Sequence, residues 1–160
     1  VSHPSLGLPP RDLTVGHPAA AARLHADRHA LGAAGLEITL QRTTGMRERY
    51  DEHGLRQLLR DTEVLIERIA TAVASDDPRV VADFADQVAP IYRRRRVPMD
   101  DIVALLEGIR SATAGVLRDD EQAAVDRAID AGRAVLRDYR RIAGDARKKN
   151  ALLDAIYKGA

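Results

Sequence analysis

Two histidines, His25 and His29, stand four residues apart in an alanine-rich stretch. That spacing places two imidazoles on one side of a helix, where a single metal ion reaches both. His17 is the only supplement nearby, and no H-E-x-x-H pattern supplies a third ligand or a base. The pair is a weak metal candidate, and solvated histidines on a helix surface are the simpler reading. Four consecutive arginines, Arg93 to Arg96, form a second chemical feature. Guanidinium groups at that density bind phosphate or dock an acidic partner. At a helix end they also cap carbonyls and lay their stems over apolar neighbours.

A further basic cluster, Arg137, Arg140, Arg141, Arg147, Lys148 and Lys149, is diluted by Asp138 and Asp145 and reads as a solvated helix face. The carboxylate pairs Asp76/Asp77, Asp100/Asp101 and Asp119/Asp120 have the types needed for acid–base work. Each stands where a helix begins, and capping and the helix dipole account for it there. Glu107 and Arg110, one turn apart, make a surface pair. No G-x-S-x-G, phosphate-cradling glycine loop or nucleophile-plus-base pattern is present, so a non-enzyme without a cofactor is expected.

The elements that must carry these residues are helical. The chain is 45% hydrophobic and 31% charged, which suits a salt-rich helical domain and excludes a disordered one. At 160 residues it is long enough for one domain with a real core. Phe84 and four tyrosines are the only aromatics, so the core is aliphatic and offers little to stack a flat cofactor. Without cysteine there is no disulfide, thiol catalysis or thiolate metal site. No apolar run approaches a membrane span and no signal pattern opens the chain, so a cytoplasmic protein is expected. A net charge of +1 disfavours nucleic acid as a partner.

Residues 1–17 carry three prolines and two glycines and read as an extended arm. Pro18 opens a weak, peripheral helix that halts near Gly32 or Gly35. In residues 36–50, Leu36, Ile38 and Leu40 alternate like a strand. A single strand has no partner here, so this segment reads as helical or irregular, interrupted at Gly45. From Asp51, the spacing of Leu55, Leu58, Thr62, Leu65, Ile66, Ile69 and Val73 predicts a long helix that stops at residues 75–78. Asp77 and Pro78 start the next helix, which carries Pro90 and should kink or break one turn before the arginines.

Val97 and Pro98 separate that helix from another, with Ile102, Leu105, Leu106 and Ile109 on its buried stripe. Asp119 and Gln122 form a D-x-x-Q capping box for a last helix that reaches residue 158 without a proline. At 1.5 Å per residue such a helix measures about 55 Å, against a domain diameter of about 40 Å. It should overhang the domain unless it bends at Gly144. The sequence therefore reads as an all-α bundle, residues 18–160, with 144–160 projecting as a dimerisation helix. Tyr139, Ile142, Leu152, Leu153 and Ile156 are the dimer-interface candidates, and Arg93, Arg94, Arg95 and Arg96 the docking candidates for an unidentified protein partner.

The stretch YRRRRVPMDDIVALLEGIRSATAGVL, residues 92–117, resembles a segment of the RsbR-type input domains, the non-haem globin-like sensor domains of bacterial stressosome proteins. The shared features are an arginine-rich helix end, a short break before proline, acidic first-turn residues and a leucine-rich helix containing Arg110. The helix before it, followed by the D-D-P turn, is similar in layout, so the likeness covers residues 55–141. It implies a globin-like fold, homodimerisation and partner binding in stress-response signalling. The output modules of that family have no counterpart within the 160 residues, and an adaptor acting through a partner chain is the expectation. The competing expectation is a helical-bundle carrier of a small molecule or metal, using His25 and His29 or an apolar pocket.

Overall fold

In the computed structural model the described residues are 15–157, with side chains described for 15–140. Seven helices account for most of them, and no strand occurs among the described residues. They are α1 (Pro18–Ala26), α2 (Arg28–Arg42), α3 (Met46–Arg49), α4 (Glu52–Ser75), α5 (Arg79–Arg94), α6 (Met99–Thr113) and α7 (Asp119–Tyr157). No helix among the described residues is long and apolar enough to cross a membrane.

The amphipathic helix expected after Asp51 is the centre of the bundle: α4 packs against α1, α2, α5, α6 and α7. Asp51 caps it, its carboxylate accepting from the Gly54 N–H at 2.7 Å. Leu58, Leu65, Ile66, Ile69 and Val73 line its buried face, against Ile102, Leu105, Leu106 and Ile109 of α6 and Val125, Ile129 and Leu136 of α7 in one core.

The N-terminal half departs from expectation. Gly32 and Gly35 do not stop a helix; α2 runs through both to Arg42, and the break falls earlier, at Asp27. The two glycines are places of close approach. A Cβ on Gly35 would stand 3.3 Å from the Ile109 nitrogen, and one on Gly108 would fall inside 3.0 Å of both Thr39 Oγ1 and the Gly35 carbonyl oxygen. The backbones of α2 and α6 therefore nearly touch, as only glycine allows. Nor is this half peripheral: Ala20, Leu24, Leu31 and Leu36 are buried in the core. The strand-like alternation at residues 36–40 is overridden because α2 has a helix face to bury and no strand partner.

Pro90 lies inside α5 without ending it. A proline lacks the N–H that would bond the carbonyl four residues back, here that of Asp86. The Tyr139 hydroxyl from α7 comes to that point, 2.9 Å from Asp86 Oδ1 and 3.5 Å from the Asp86 carbonyl oxygen. Half of a capping box sits at the start of α7, one residue before the expected one. Gln122 N–H donates to the Arg118 carbonyl at 2.8 Å, and Glu121 accepts from the Arg118 N–H at 3.0 Å. Arg118 is thus the cap and Glu121 the residue that reaches back to it, while Gln122 turns to Asp126.

Helix α7 runs parallel to α5, with Gly132 against Val81 and Tyr139 against Asp86. It runs antiparallel to α6, with Asp130 beside Arg110 and Arg140 beside Asp100. Arg140 is therefore level with the first turn of α6, and α7 continues as a helix to Tyr157. At the other end of the chain, His17 closes the expected arm by donating its backbone N–H to the Val73 carbonyl at 2.9 Å. Residues 1–14 of that arm lie outside the described residues.

Candidate functional site

The arginine run sits where α5 hands over to α6. Helix α5 ends at Arg94, and Arg96 takes a left-handed conformation with φ of 59°. The Arg96 N–H donates to the Arg93 carbonyl at 3.1 Å and the Val97 N–H to the Tyr92 carbonyl at 2.9 Å. This pair of bonds closes a helix end, with Tyr92 and Val97, both buried, at the two positions whose apolar contact often accompanies such a motif. Glycine is the usual residue at the left-handed position; here it is an arginine, at a cost of about 1 kcal/mol. Pro98 follows in extended conformation as the cap of α6, one residue earlier than the first helical position.

The four arginines divide by what they touch. Arg95 lies along α4, its Nη1 and Nη2 donating to the two oxygens of Asp61 at 3.3 and 3.0 Å. Its guanidinium also stands 5.5 Å from the centre of the Tyr92 ring. A forked pair stacked on an aromatic is a structural use of arginine. Burial, and next the Asp61 carboxylate, push the Tyr92 hydroxyl above its ordinary range. Arg93, Arg94 and Arg96 are exposed and form no ion pair with a carboxylate among the described residues.

Behind the corner is a buried carboxylate. Asp101 is 2% exposed, yet it accepts from Arg49 Nη2 and from the Tyr50 hydroxyl, both at 2.6 Å. Burial, then the bond to Asp101, raise the Tyr50 hydroxyl well above its usual range. The Asp100/Asp101 pair thus splits. Asp100 is an exposed first-turn acid that meets Arg140 at 3.1 Å, whereas Asp101 ties the α3 segment to the start of α6. Its role in placing Arg49 and Tyr50 is more than the helix capping expected of it. The signal was in the spacing: Asp101 stands four residues before Leu105, on the apolar stripe of its own helix. Asp61 carried no comparable signal, because its partner is 34 residues away.

A second charge network joins α6 to α7. Arg110 meets Glu107 at 3.3 Å and Asp130 at 2.5 Å, and Arg133 meets Glu107 at 2.7 Å and Asp130 at 3.1 Å. The Glu107–Arg110 pair expected from spacing is present, as part of a seam between helices. Burial works against the charged form of Arg110, but the Asp130 hydrogen bond and the surrounding carboxylates outweigh it and raise its pKa.

The histidine pair is not assembled as its spacing suggests. His25 is on α1 and His29 on α2, with the Asp27 turn between them, so the one-helix geometry is lost. His29 Nδ1 lies 2.9 Å from Glu63 Oε1, and His17 Nδ1 lies 3.7 Å from Asp120. No group of three metal-ligating residues occurs among the described residues. Of the dimer candidates, Tyr139 is half-buried against the core and bonded to Asp86. Ile142, Leu152, Leu153 and Ile156 lie outside the residues whose side chains are described.

A scan against protein-family models finds no match to the chain. A search of curated proteins finds no significant match either.

Proposed function

We propose that the chain is a non-catalytic regulatory domain of bacterial stress-response type, acting through homodimerisation and through a protein partner docked at the arginine corner. The observation that carries this reading is the division of labour among the four arginines. Arg95 is spent on holding the corner, while Arg93, Arg94 and Arg96 present guanidinium groups to solvent from a helix end pinned by hydrogen bonds. Cations held in place this way favour an acidic surface, because little side-chain and backbone order remains to be imposed on binding. The continuation of α7 as a helix to Tyr157, 17 residues after the one level with the first turn of α6, supports an association role for that helix. A globin-like arrangement and a cytoplasmic setting belong to the same reading.

Light scattering coupled to size-exclusion chromatography tests it, on the full chain and on Leu153→Asp. The reading expects a dimer for the full chain and a monomer for the variant. A full chain that is monomeric throughout, or a variant that remains dimeric, removes the association role given to α7.

A further inference from the structure

The α4–α5 pair has an outer groove that the core does not use. Its two ends are marked by contacts between the helices: Arg95 on Asp61 at one end, and Arg68 stacked 5.0 Å over the Phe84 ring at the other. Between them, Asp61, Val64 and Arg68 form one stripe of α4, and Phe84, Val88, Ile91 and Arg95 form one stripe of α5. Val64 is 39% exposed and Ile91 42% exposed, two of the few large apolar side chains left open among the described residues. Phe84 and Val88 are half-buried beneath them, packed on the core. The apolar residues of α5 recur at i, i+4 and i+7, the period that receives a helix laid along a groove.

The rim of the groove is basic toward the corner. Arg60 and Arg94 each precede a member of the Asp61–Arg95 pair and are rotated about 100° from it, away from the core. Both are exposed, and Arg96 lies just beyond. Toward the far end, exposed Asp83 and Asp86 offset exposed Arg68 and Arg79, so the excess of basic charge lies at the corner. A second copy of α7 does not suit this rim. Beyond Tyr139 that helix carries Arg140, Arg141, Arg147, Lys148 and Lys149 against Asp145 and Asp154, and like charges would meet.

We infer that the outer α4–α5 groove docks an acidic amphipathic helix of a partner protein, its apolar face over Val64, Val88 and Ile91 and its carboxylates on Arg60, Arg94 and Arg96. This rests on the partner-docking reading of the arginine corner and gives the partner a form: a helix, apolar on one side, acidic at the end that meets the corner. Charge steers the approach, and the apolar contacts decide which acidic helix stays.

The test uses a fluorescent synthetic helix with leucine at i, i+4 and i+7 and glutamate elsewhere, titrated with the full chain and followed by anisotropy. Saturable binding tighter than about 1 mM is expected, weakened about tenfold or more by Ile91→Asp and by Arg94→Glu. Both sites are exposed, and circular dichroism confirms that each variant is folded. Should Ile91→Asp lose its helicity, Val64→Asp takes its place. No binding overturns the inference, as does equal binding of a peptide with the same composition and scattered leucines. A short DNA duplex that binds more tightly and ignores Ile91→Asp overturns it in favour of a polyanion surface. Loss of dimer in Ile91→Asp without peptide binding overturns it in favour of a second copy. Light scattering on the same samples separates this from the regulatory reading. A dimer that ignores the peptide removes the groove and leaves that reading standing, whereas a monomer that binds the peptide does the reverse.

Discussion

Replacing Gly108 by alanine tests the close approach of α2 and α6. The added methyl group would lie inside 3.0 Å of Thr39 Oγ1 and of the Gly35 carbonyl oxygen. Neither neighbour yields easily. The Thr39 hydroxyl is bonded to the Gly35 carbonyl at 2.7 Å and lies 3.2 Å from the Ala104 carbonyl, and the other obstacle is backbone. Overpacking of this kind costs about 1–3 kcal/mol, and a backbone obstacle puts it at or beyond the upper end. Alanine recovers about 1 kcal/mol of helix propensity over glycine.

The net expectation is a loss of about 2–3 kcal/mol, a fall in Tm of about 5–10 °C for a chain this size. Urea titrations followed by circular dichroism measure it, with an unchanged m-value showing that stability alone has moved. Gly115→Ala is the control. Nothing lies within 4 Å of its Cβ position and its φ is not in the left-handed region, so alanine should stabilise by about 0.5 kcal/mol. If Gly108→Ala unfolds within about 1 kcal/mol of the parent, the α2–α6 crossing is wrong. Full rescue by Thr39→Ala would also refute it, because the Gly35 carbonyl would still block the methyl group.

Other consequences follow from the corner and the helix caps. Arg96→Gly should raise stability by about 1 kcal/mol, since glycine takes the left-handed conformation without the Cβ penalty; a loss in urea titration would mean the Arg96 side chain holds the corner. Asp101→Leu should lose about 2–3 kcal/mol by stranding Arg49 and Tyr50, discounted because Arg49 is partly solvated; an unchanged urea midpoint would contradict its role as the tie between α3 and α6. The Arg118 N–H, next the Arg23 guanidinium, hold the Glu121 carboxyl below its ordinary range. Its contribution is therefore complete above the unfolded value of about 4.3 and is lost as pH falls through the lower folded value. Glu121→Gln should flatten that acid limb of a stability–pH curve, and an unchanged limb would assign it to other carboxylates, Asp130 first among them, since Arg110 lowers it in the same way.

Periodicity determined a good part of this protein by itself. The apolar stripes of α4 and α6 and the breaks at residues 75–78 and 97–98 follow from local rules of burial, capping and proline geometry. So does the length of α7, because neither Gly132 nor Gly144 stops a helix. The corner was legible in the same way, as a basic helix end followed by proline.

Only the tertiary structure decided what each charged or small residue does there. Four arginines in a row are chemically alike until Asp61, from another helix, takes Arg95 and leaves its neighbours to solvent. Gly32 and Gly35 look like stops until α4 and α6 are placed against α2 and they become points of contact, Gly32 with Glu63 and Gly35 with Ile109. Pro90 reads as a break until α7 brings the Tyr139 hydroxyl to Asp86, and the i, i+4 histidines read as a pair until the Asp27 turn divides them. The reason is common to all four. Local spacing specifies a helix and its buried face, whereas the partner of a polar group or a glycine is supplied by a distant segment whose position depends on how every face packs at once.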